Sequence, residues 1–321
     1  MVTIVSFRSA LFGAALLLPA LAAPAFAGEA RDKADRTSEW TFEISAGVKY
    51  DSNLSVIEID QVVPDDDFAA VIKASVDYLL KITPQTTLKV GYDFDQSLYS
   101  EHDEFNYQSH AGSAKLRHKF GAEADASDVA LNYRYSYSTL DGDGFMNLHR
   151  ISPTLGVYIA KPVYLLFEYI YADKDFIGIT DRDAVVHSGG VDAFYFIDGP
   201  KFMIVAGYQY DDSDANDVDF DYEAHLGKIK LVRRVDVAGV KPKFSVGWDH
   251  ETRNYSSPTS AAPDAAGRRN DNRNKLKASL EVPVTDVFYA LFEYQYRDFN
   301  SNLNAADYSE NLVEVRVGAE F

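Results

Sequence analysis

Catalysis by a serine nucleophile needs a histidine and a carboxylate within hydrogen-bond reach, and two candidate segments bring serine and histidine near each other. His187 precedes Ser188, and His149 lies shortly before Ser152. Neither pair has a nucleophile motif around it, and adjacent residues of a strand point to opposite faces. The sequence therefore predicts that the protein is not an enzyme, and hydrolysis is the weakest of the three functional hypotheses drawn below.

The acidic run from Asp211 to Asp219 offers oxygen ligands of the kind that Ca²⁺ prefers, with Asp212, Asp214 and Asp217 as weak candidates. The run lacks the glycine at the bend and the terminal glutamate of an EF-hand loop. We expect solvated acids, or acids bridged by divalent ions to lipid head groups. No bound metal or other cofactor is predicted.

Charged residues at every second position point to a polar face that several segments share. Basic residues fall on this face in the lower halves of descending segments, whereas acids collect in the loops, as at 65–67 and 211–221. We predict an axial charge gradient, negative at the mouth and positive lower down, which would steer charged solutes. Paired charges on a water-filled wall are the plainer alternative. The residues expected to line the interior are Lys115, Arg117, Lys119, Arg134, Glu168, Lys228, Lys230, Lys275, Lys277, Glu293, Arg297, Glu314 and Arg316.

Seven segments repeat one pattern, in which an apolar residue and a spacer precede two aromatic residues separated by one position. The first aromatics lie 36 to 46 residues apart, which is about one long β-hairpin with its connections per repeat. Such aromatics favour the boundary between lipid and water. We assign to this girdle Tyr92, Phe94, Tyr133, Tyr135, Tyr169, Tyr171, Tyr208, Tyr210, Trp248, Tyr294 and Tyr296.

Period-two alternation marks fourteen segments, most of them 12 to 16 residues long, enough to cross a membrane when tilted. Because lipid cannot satisfy free backbone N–H and C=O groups, such strands must close on themselves. We predict an all-β fold, a closed antiparallel transmembrane β-barrel of about 14 strands, with 12 or 16 as alternatives. The expected strands are 40–54, 68–82, 86–99, 107–120, 128–140, 147–160, 163–176, 184–197, 200–211, 220–235, 240–255, 273–284, 287–299 and 308–321.

Turn signals alternate between short connections and longer polar loops, as they do between periplasmic turns and extracellular loops. The segments 55–67 and 141–147 are expected to be polar loops. The longest loop, 256–272, either folds inward as a constriction or stays on the surface. In the last strand, Val315, Val317 and Phe321 lie on one face and would form the signal read by a barrel-assembly machinery.

The N-terminal segment 1–27 has Arg8 as its only charge, an apolar stretch, and Ala25-Phe26-Ala27 before Gly28, as in a secretory signal peptide. We expect cleavage near Ala27, a short polar segment over 28–39, a barrel over 40–321, and placement in a Gram-negative outer membrane. There are no cysteines, so no disulfide or lipidated cysteine is available. The net charge of −18 argues against nucleic acid as a partner.

The segment from Tyr50 to Asp60 begins Tyr-Asp-Ser-Asn and resembles the opening of barrels in the surface lipoprotein assembly modifier family. The resemblance spans the chain from about Trp40 and implies a fourteen-stranded barrel that helps move lipoproteins or related exported clients to the cell surface. Members of that family usually carry a periplasmic helical-repeat domain before the barrel, whereas here only a short polar segment precedes the first strand. The closing strand also departs from the usual assembly signal, with Ala319 where an aromatic is common.

The residues themselves favour a conduit of the porin type, with outer-membrane lipid and the assembly machinery as partners. An assembly or translocation factor with a lipoprotein client is the alternative. These two hypotheses differ in whether small solutes or proteins use the barrel.

Overall fold

The computed structural model describes residues 38–123, 125–257 and 267–321, and fourteen of its strands form one closed antiparallel barrel. A small hairpin, β2 with β3, and five 3₁₀ turns lie in the connections. The strands are β1 (Ser38–Asp51), β2 (Leu54–Val56), β3 (Gln61–Val63), β4 (Asp67–Lys81), β5 (Thr86–Tyr99), β6 (Tyr107–Lys119), β7 (Asp128–Leu140), β8 (Asp143–Ala160), β9 (Val163–Phe176), β10 (Ala184–Asp198), β11 (Phe202–Ala215), β12 (Tyr222–Arg234), β13 (Lys243–Tyr255), β14 (Asn270–Pro283), β15 (Phe288–Ser301) and β16 (Tyr308–Glu320).

The barrel closes because β1 pairs with β16 on one side and with β4 on the other. At the lower end, Phe42 and Phe321 exchange backbone hydrogen bonds of 3.1 and 2.9 Å. No barrel strand is therefore left with a free edge in the described ranges, as backbone groups in lipid require. The predicted closed barrel of fourteen strands is confirmed.

Several predicted boundaries need correction, three of them in the upper part of the barrel. Strand β8 begins at Asp143, because Asp141 and Gly142 both take positive φ values, 52° and 80°, and make a two-residue hairpin turn. The expected long loop at 141–147 is therefore wrong, and so is the strict alternation of short and long connections. Strand β11 continues to Ala215 and β14 starts at Asn270, so the barrel wall extends above the predicted ends of both strands.

Side chains alternate between an apolar outer face and a polar inner face. Large apolar side chains are exposed on the outer face, for example Val246, Val317 and Phe321. The inner face is identified by ion pairs between strands that are not neighbours, such as Lys73 Nζ of β4 with Glu314 Oε1 of β16 at 3.7 Å. By the registers, all of the girdle aromatics share the outer face with Val315, Val317 and Phe321. An apolar band of this kind is stable in lipid rather than in water.

Tyrosines lie over inner-face glycines of neighbouring strands. The Tyr164 ring occupies the space that a side chain at Gly156 would fill, and Tyr289 does the same at Gly318. Glycine in a strand leaves its backbone uncovered, so an aromatic from the next strand supplies the missing packing. These positions bring two aromatic rings onto a face that is otherwise mostly polar.

Within the described ranges, no helix is long and apolar enough to cross a membrane. The expected signal peptide over 1–27 and nearly all of the polar segment over 28–39 lie outside those ranges. Strand β1 begins at Ser38, close to the expected boundary at Trp40.

A charge introduced on the outer face should destabilise the barrel far more than a charge introduced on the inner face. We expect Val246→Arg, on the outer face of β13, to lower the free energy of unfolding from bilayers by about 2–4 kcal/mol, because it places a guanidinium in hydrocarbon. The matched variant Ser245→Arg points inward and should change that free energy far less. Urea titration in lipid vesicles measures both, and equal effects would contradict the assignment of faces.

Candidate functional site

The first loop folds into the mouth of the barrel instead of extending outward. We call residues 52–66 the mouth plug; it contains β2, β3 and a 3₁₀ turn at Ile57–Ile59. Leu54 is fully buried and packs with Val56, Phe105, Phe145 and Phe176 in an apolar cluster. Phe176 ends β9, which lies on the far side of the ring from β1. The plug therefore spans the mouth and has its own small core.

The tip of the plug is held by a carboxylate among arginines. Asp60, which adopts a left-handed conformation with φ 54°, accepts from Arg269 at 2.8 and 2.9 Å through its two oxygens. Arg182 donates to the same carboxylate at 3.0 Å and to the carbonyl of Glu58 at 3.0 Å. Arg182 follows β9 and Arg269 precedes β14, so the tip is tied to two separate parts of the wall. We call this arrangement the Asp60 latch.

A second carboxylate supports the latch from the wall. Asp271 accepts from Arg269 at 2.9 and 3.0 Å, from Arg273 at 2.8 Å and from the hydroxyl of Ser301 at 2.6 Å. The Arg269 guanidinium also lies over the ring of Tyr255, 4.2 Å from its centroid. Because Arg269 and Asp271 are both buried, these contacts are shielded from screening by salt. The network therefore carries charged groups on both the plug and the wall, and most of their hydrogen-bonding atoms are paired within it.

The electrostatics of the latch favour an ionised Asp60. Burial by itself raises the pKa of its carboxyl, but hydrogen bonds and charge from Arg269 and Arg182 outweigh burial and lower the pKa from 3.8 to about 2. The same carboxylates raise the pKa of Arg269 above its usual range, against the opposing effect of burial. The latch is therefore fully charged at neutral pH.

The root of the plug is fixed to the closing strand. Ser52 and Asn311 exchange contacts, with the Ser52 amide donating to the Asn311 carbonyl at 3.0 Å and the Asn311 amide donating to Ser52 Oγ at 2.8 Å. The Asn53 side chain donates to the carbonyl of Ser309 at 3.1 Å, and Ser55 Oγ donates to Glu310 at 3.0 Å. The Tyr-Asp-Ser-Asn segment thus turns the chain back into the lumen.

A cavity of about 170 Å³ remains between the plug tip and the wall of β9 to β13. Glu58 and Asp60 line it from the plug, and Lys174, Arg182 and Arg253 line it from the wall. This corrects the predicted charge gradient, because arginines stand among the acids at the mouth. The Asp60 side chain needs arginine partners because it is buried.

Below the plug, the inner face surrounds larger cavities of about 350, 510 and 560 Å³. The registers place every charged residue predicted to line the interior on this face: Lys115, Arg117, Lys119, Arg134, Glu168, Lys228, Lys230, Lys275, Lys277, Glu293, Arg297, Glu314 and Arg316. Many are paired, as Arg117 is with Asp128 at 2.6 Å, Arg134 with Asp93 at 2.6 Å and Lys228 with Asp192 at 2.8 Å.

Five of these lysines form no ion pair with any residue in the described ranges. They are Lys115, Lys119, Lys230, Lys275 and Lys277. A lysine without a carboxylate partner attracts mobile anions, and the low-dielectric wall around the lumen focuses its field. The alternation of polar and apolar residues in the sequence predicts the face on which these lysines lie. Whether a lysine forms an ion pair depends on the residues opposite it on the adjacent strands, which are set by the strand register.

The remaining candidates are separated by the fold. Asp212 and Asp214 lie on the outer face of β11, while Asp217 accepts from the Asp219 amide at 3.0 Å and caps a 3₁₀ turn. No three metal-ligating residues come together in the described parts of the chain. His187 faces outward and Ser188 inward, and His149 and Ser152 are likewise on opposite faces.

The 256–272 loop was expected either to fold inward or to stay on the surface, and its residues 258–266 lie outside the described ranges. The part that is described contributes Arg269 to the latch. The first loop had a usable signal: Leu54, Val56, Ile57 and Ile59 are too apolar for an open polar loop.

Removing the charge of the latch should free the plug. We expect Asp60→Asn to lower the local opening free energy of the plug by about 3 kcal/mol, since it leaves buried arginines without their carboxylate. Hydrogen exchange of the amides at 57–63 measures this, with Asp66→Asn, exposed in the same loop, as the control. Unchanged protection in Asp60→Asn would mean that the apolar cluster alone holds the plug.

The latch should also have a defined pH range. Because the folded pKa of Asp60 is below its ordinary value of 3.8, its contribution is fully present above about pH 4 and is lost as the pH falls through about 2. Exchange protection of the plug, corrected for the intrinsic rate, should therefore be flat from pH 7 to 4.5. A loss of protection near pH 6 would contradict this assignment.

No family model matches the chain, and no curated protein sequence matches it. Among solved structures, the outer-membrane channel DcaP of Acinetobacter baumannii has a TM-score of 0.51 at 8% identity and covers 88% of this chain and 97% of its own. An anion-selective porin from Comamonas acidovorans gives 0.47 at 10% identity, covering 88% and 100%. The outer-membrane protein OmpT of Vibrio cholerae gives 0.47 at 10% identity, covering 89% and 100%. The likeness to DcaP shows that the chain has the fold of an outer-membrane barrel.

Proposed function

We propose that the protein is an outer-membrane channel for small solutes, exported with cleavage near Ala27 and inserted by the barrel-assembly machinery. The observation that carries the proposal is the polar, cavity-bearing inner face enclosed by an apolar outer face. A wall of this kind separates water from lipid, as a pore requires. The mouth plug narrows the entrance and would exclude large molecules.

The outer face supports this placement through tyrosine and histidine pairs. Hydrogen bonds join Tyr92 to His110 at 2.7 Å and Tyr133 to His149 at 2.9 Å, and the same contact recurs in two further hairpins. Amphipathic rings with a polar partner favour the level of lipid head groups. The girdle would set the depth of the barrel in the outer membrane.

A role in lipoprotein assembly is the second candidate, and one observation favours it. The Tyr-Asp-Ser-Asn segment that resembles the assembly-modifier family forms the root of the plug, so that any client would have to displace this plug. Deleting the gene should then remove a specific lipoprotein from the cell surface while leaving uptake of small solutes unchanged. The opposite result favours the channel.

Planar-bilayer recording tests the channel directly. We expect discrete currents from the full-length protein, and larger ones when residues 54–63 are replaced by a short glycine-serine linker, because the plug no longer fills the mouth. A linker replacement in the exposed turn at 236–239, at the opposite end of the barrel from the plug, is the control and should leave conductance unchanged. Absence of current in both the native and the plug-less protein would defeat the proposal.

Ion preference should follow the unpaired lysines of the lumen. We expect Lys115→Glu with Lys119→Glu to shift the reversal potential in a salt gradient toward cation preference, while Arg117 keeps its contact with Asp128. Lys161→Glu, in the exposed turn between β8 and β9, is the control. If both variants behave alike, these lysines do not face the ion path.

A further inference from the structure

We propose that the lumen wall formed by β10 to β14 binds small organic monoanions that carry an apolar group, such as medium-chain or aromatic carboxylates. This rests on the proposed channel function and gives its substrate class. The site is the cavity of about 510 Å³ below the plug. We call it the amphipathic subsite.

One side of the subsite is apolar, which a water-filled lumen does not require. Phe194, Met203, Val205 and Val232 line it together, on the inner faces of β10, β11 and β12. Apolar side chains facing a polar lumen lose free energy to hydration unless something apolar covers them. Their grouping indicates a ligand with a hydrocarbon portion.

An aromatic row extends this surface along the wall. Ring centroids are 4.8 Å apart for Tyr158 and Tyr164, 5.7 Å for Tyr164 and Phe194, and 6.4 Å for Phe194 and Phe196. Tyr164 also lines the neighbouring cavity of about 560 Å³. A planar apolar group could therefore slide between the two cavities without leaving an aromatic surface.

The other side of the subsite is basic. Lys230 and Lys277 are register partners of Gly247, one on each side, so no side chain separates them on that strand. Neither forms an ion pair in the described ranges, whereas Lys228 is held by Asp192 at 2.8 Å. Two free ammonium groups flanking a glycine make a notch that suits a carboxylate.

Two carboxylates limit the charge that the subsite accepts. Asp249 and Glu293 also line the cavity, against Lys228, Lys230 and Lys277. The register places Asp249 between Lys228 and Lys275, and Glu293 between Ser279 and Glu314. Because Asp192 neutralises Lys228, the lysines without ion pairs, Lys230, Lys275 and Lys277, exceed Asp249 and Glu293 by one charge. This excess suits one negative charge better than two, so a monocarboxylate should bind better than phosphate.

The neighbouring cavity makes a contrast. There Lys89 pairs with Asp77 at 2.9 Å, Arg117 with Asp128 and Arg134 with Asp93. Most of its cations are already neutralised, and Lys115 is the exception. An anion entering that cavity would meet fewer free charges, which singles out the subsite between β10 and β14.

Isothermal titration of the full-length protein in detergent tests the subsite without relying on conductance. We expect affinity to rise from acetate to hexanoate and benzoate by about tenfold or more, and phosphate to bind no better than acetate. Lys230→Gln with Lys277→Gln should weaken all carboxylates by about tenfold, while Lys115→Gln should not. Met203→Gln with Val232→Thr should weaken hexanoate and leave acetate unchanged. Far-ultraviolet circular dichroism and heat modifiability confirm that each variant is folded.

Equal binding of acetate and hexanoate, or equal loss in Lys115→Gln, would overturn the subsite. Bilayer recording separates this failure from failure of the channel itself. If chloride current is present and hexanoate does not reduce it in the native protein, the subsite is wrong and the channel stands. If hexanoate binds in the titration and no current is seen in any salt, the site exists and the channel is wrong.

Discussion

A backbone amide facing hydrocarbon must find its hydrogen-bond partner within the protein, and every other feature of this molecule depends on that requirement. The pairing of β1 with β16 meets this requirement for the first and last strands of the barrel. Two backbone hydrogen bonds between Phe42 and Phe321 complete this pairing at the lower end. Closure then forces alternate side chains into a common interior. Charged residues that are far apart in sequence, such as Lys73 and Glu314, become neighbours for that reason alone.

The interior can hold so many charges because most of them meet partners there. In the Asp60 latch, three arginines, Arg182, Arg269 and Arg273, share the carboxylates of Asp60 and Asp271. Burying any one of these groups without the others would cost several kcal/mol, so the network forms as a unit. The apolar cluster around Leu54 also holds the plug in the barrel mouth, by hydrophobic burial that has no preferred direction. The directional contacts of the latch fix the position of the plug tip.

Strand number and facing were predictable because they depend on local rules. Alternation at Val315 and Val317 reports the lipid face directly, because lipid enforces apolar side chains on the outer face within the apolar band. Two features were missed. The Asp141-Gly142 pair is a favoured sequence for a two-residue hairpin turn, but the polar residues around it also suit a longer loop, and the positive φ angles decide for the turn. The apolar residues of the first loop indicate a buried segment, but its contact between Asp60 and Arg269 spans 209 positions of sequence, and no local pattern encodes such a distance.

The position of charge matters more here than its sum. A net charge of −18 would suggest a protein that repels anions. However, charges on the outer loops, such as Asp66 and Glu101, are screened by salt within about 8–10 Å, whereas those inside the narrow lumen act directly on a passing ion. The mouth has three arginines around two carboxylates, and the wall below has lysines without partners. In the proposed channel, an anion that enters past the plug would therefore meet positive charge twice, first at the latch and then between Lys230 and Lys277. Binding at the second place must stay weak, because a conduit that holds its solute tightly no longer conducts it.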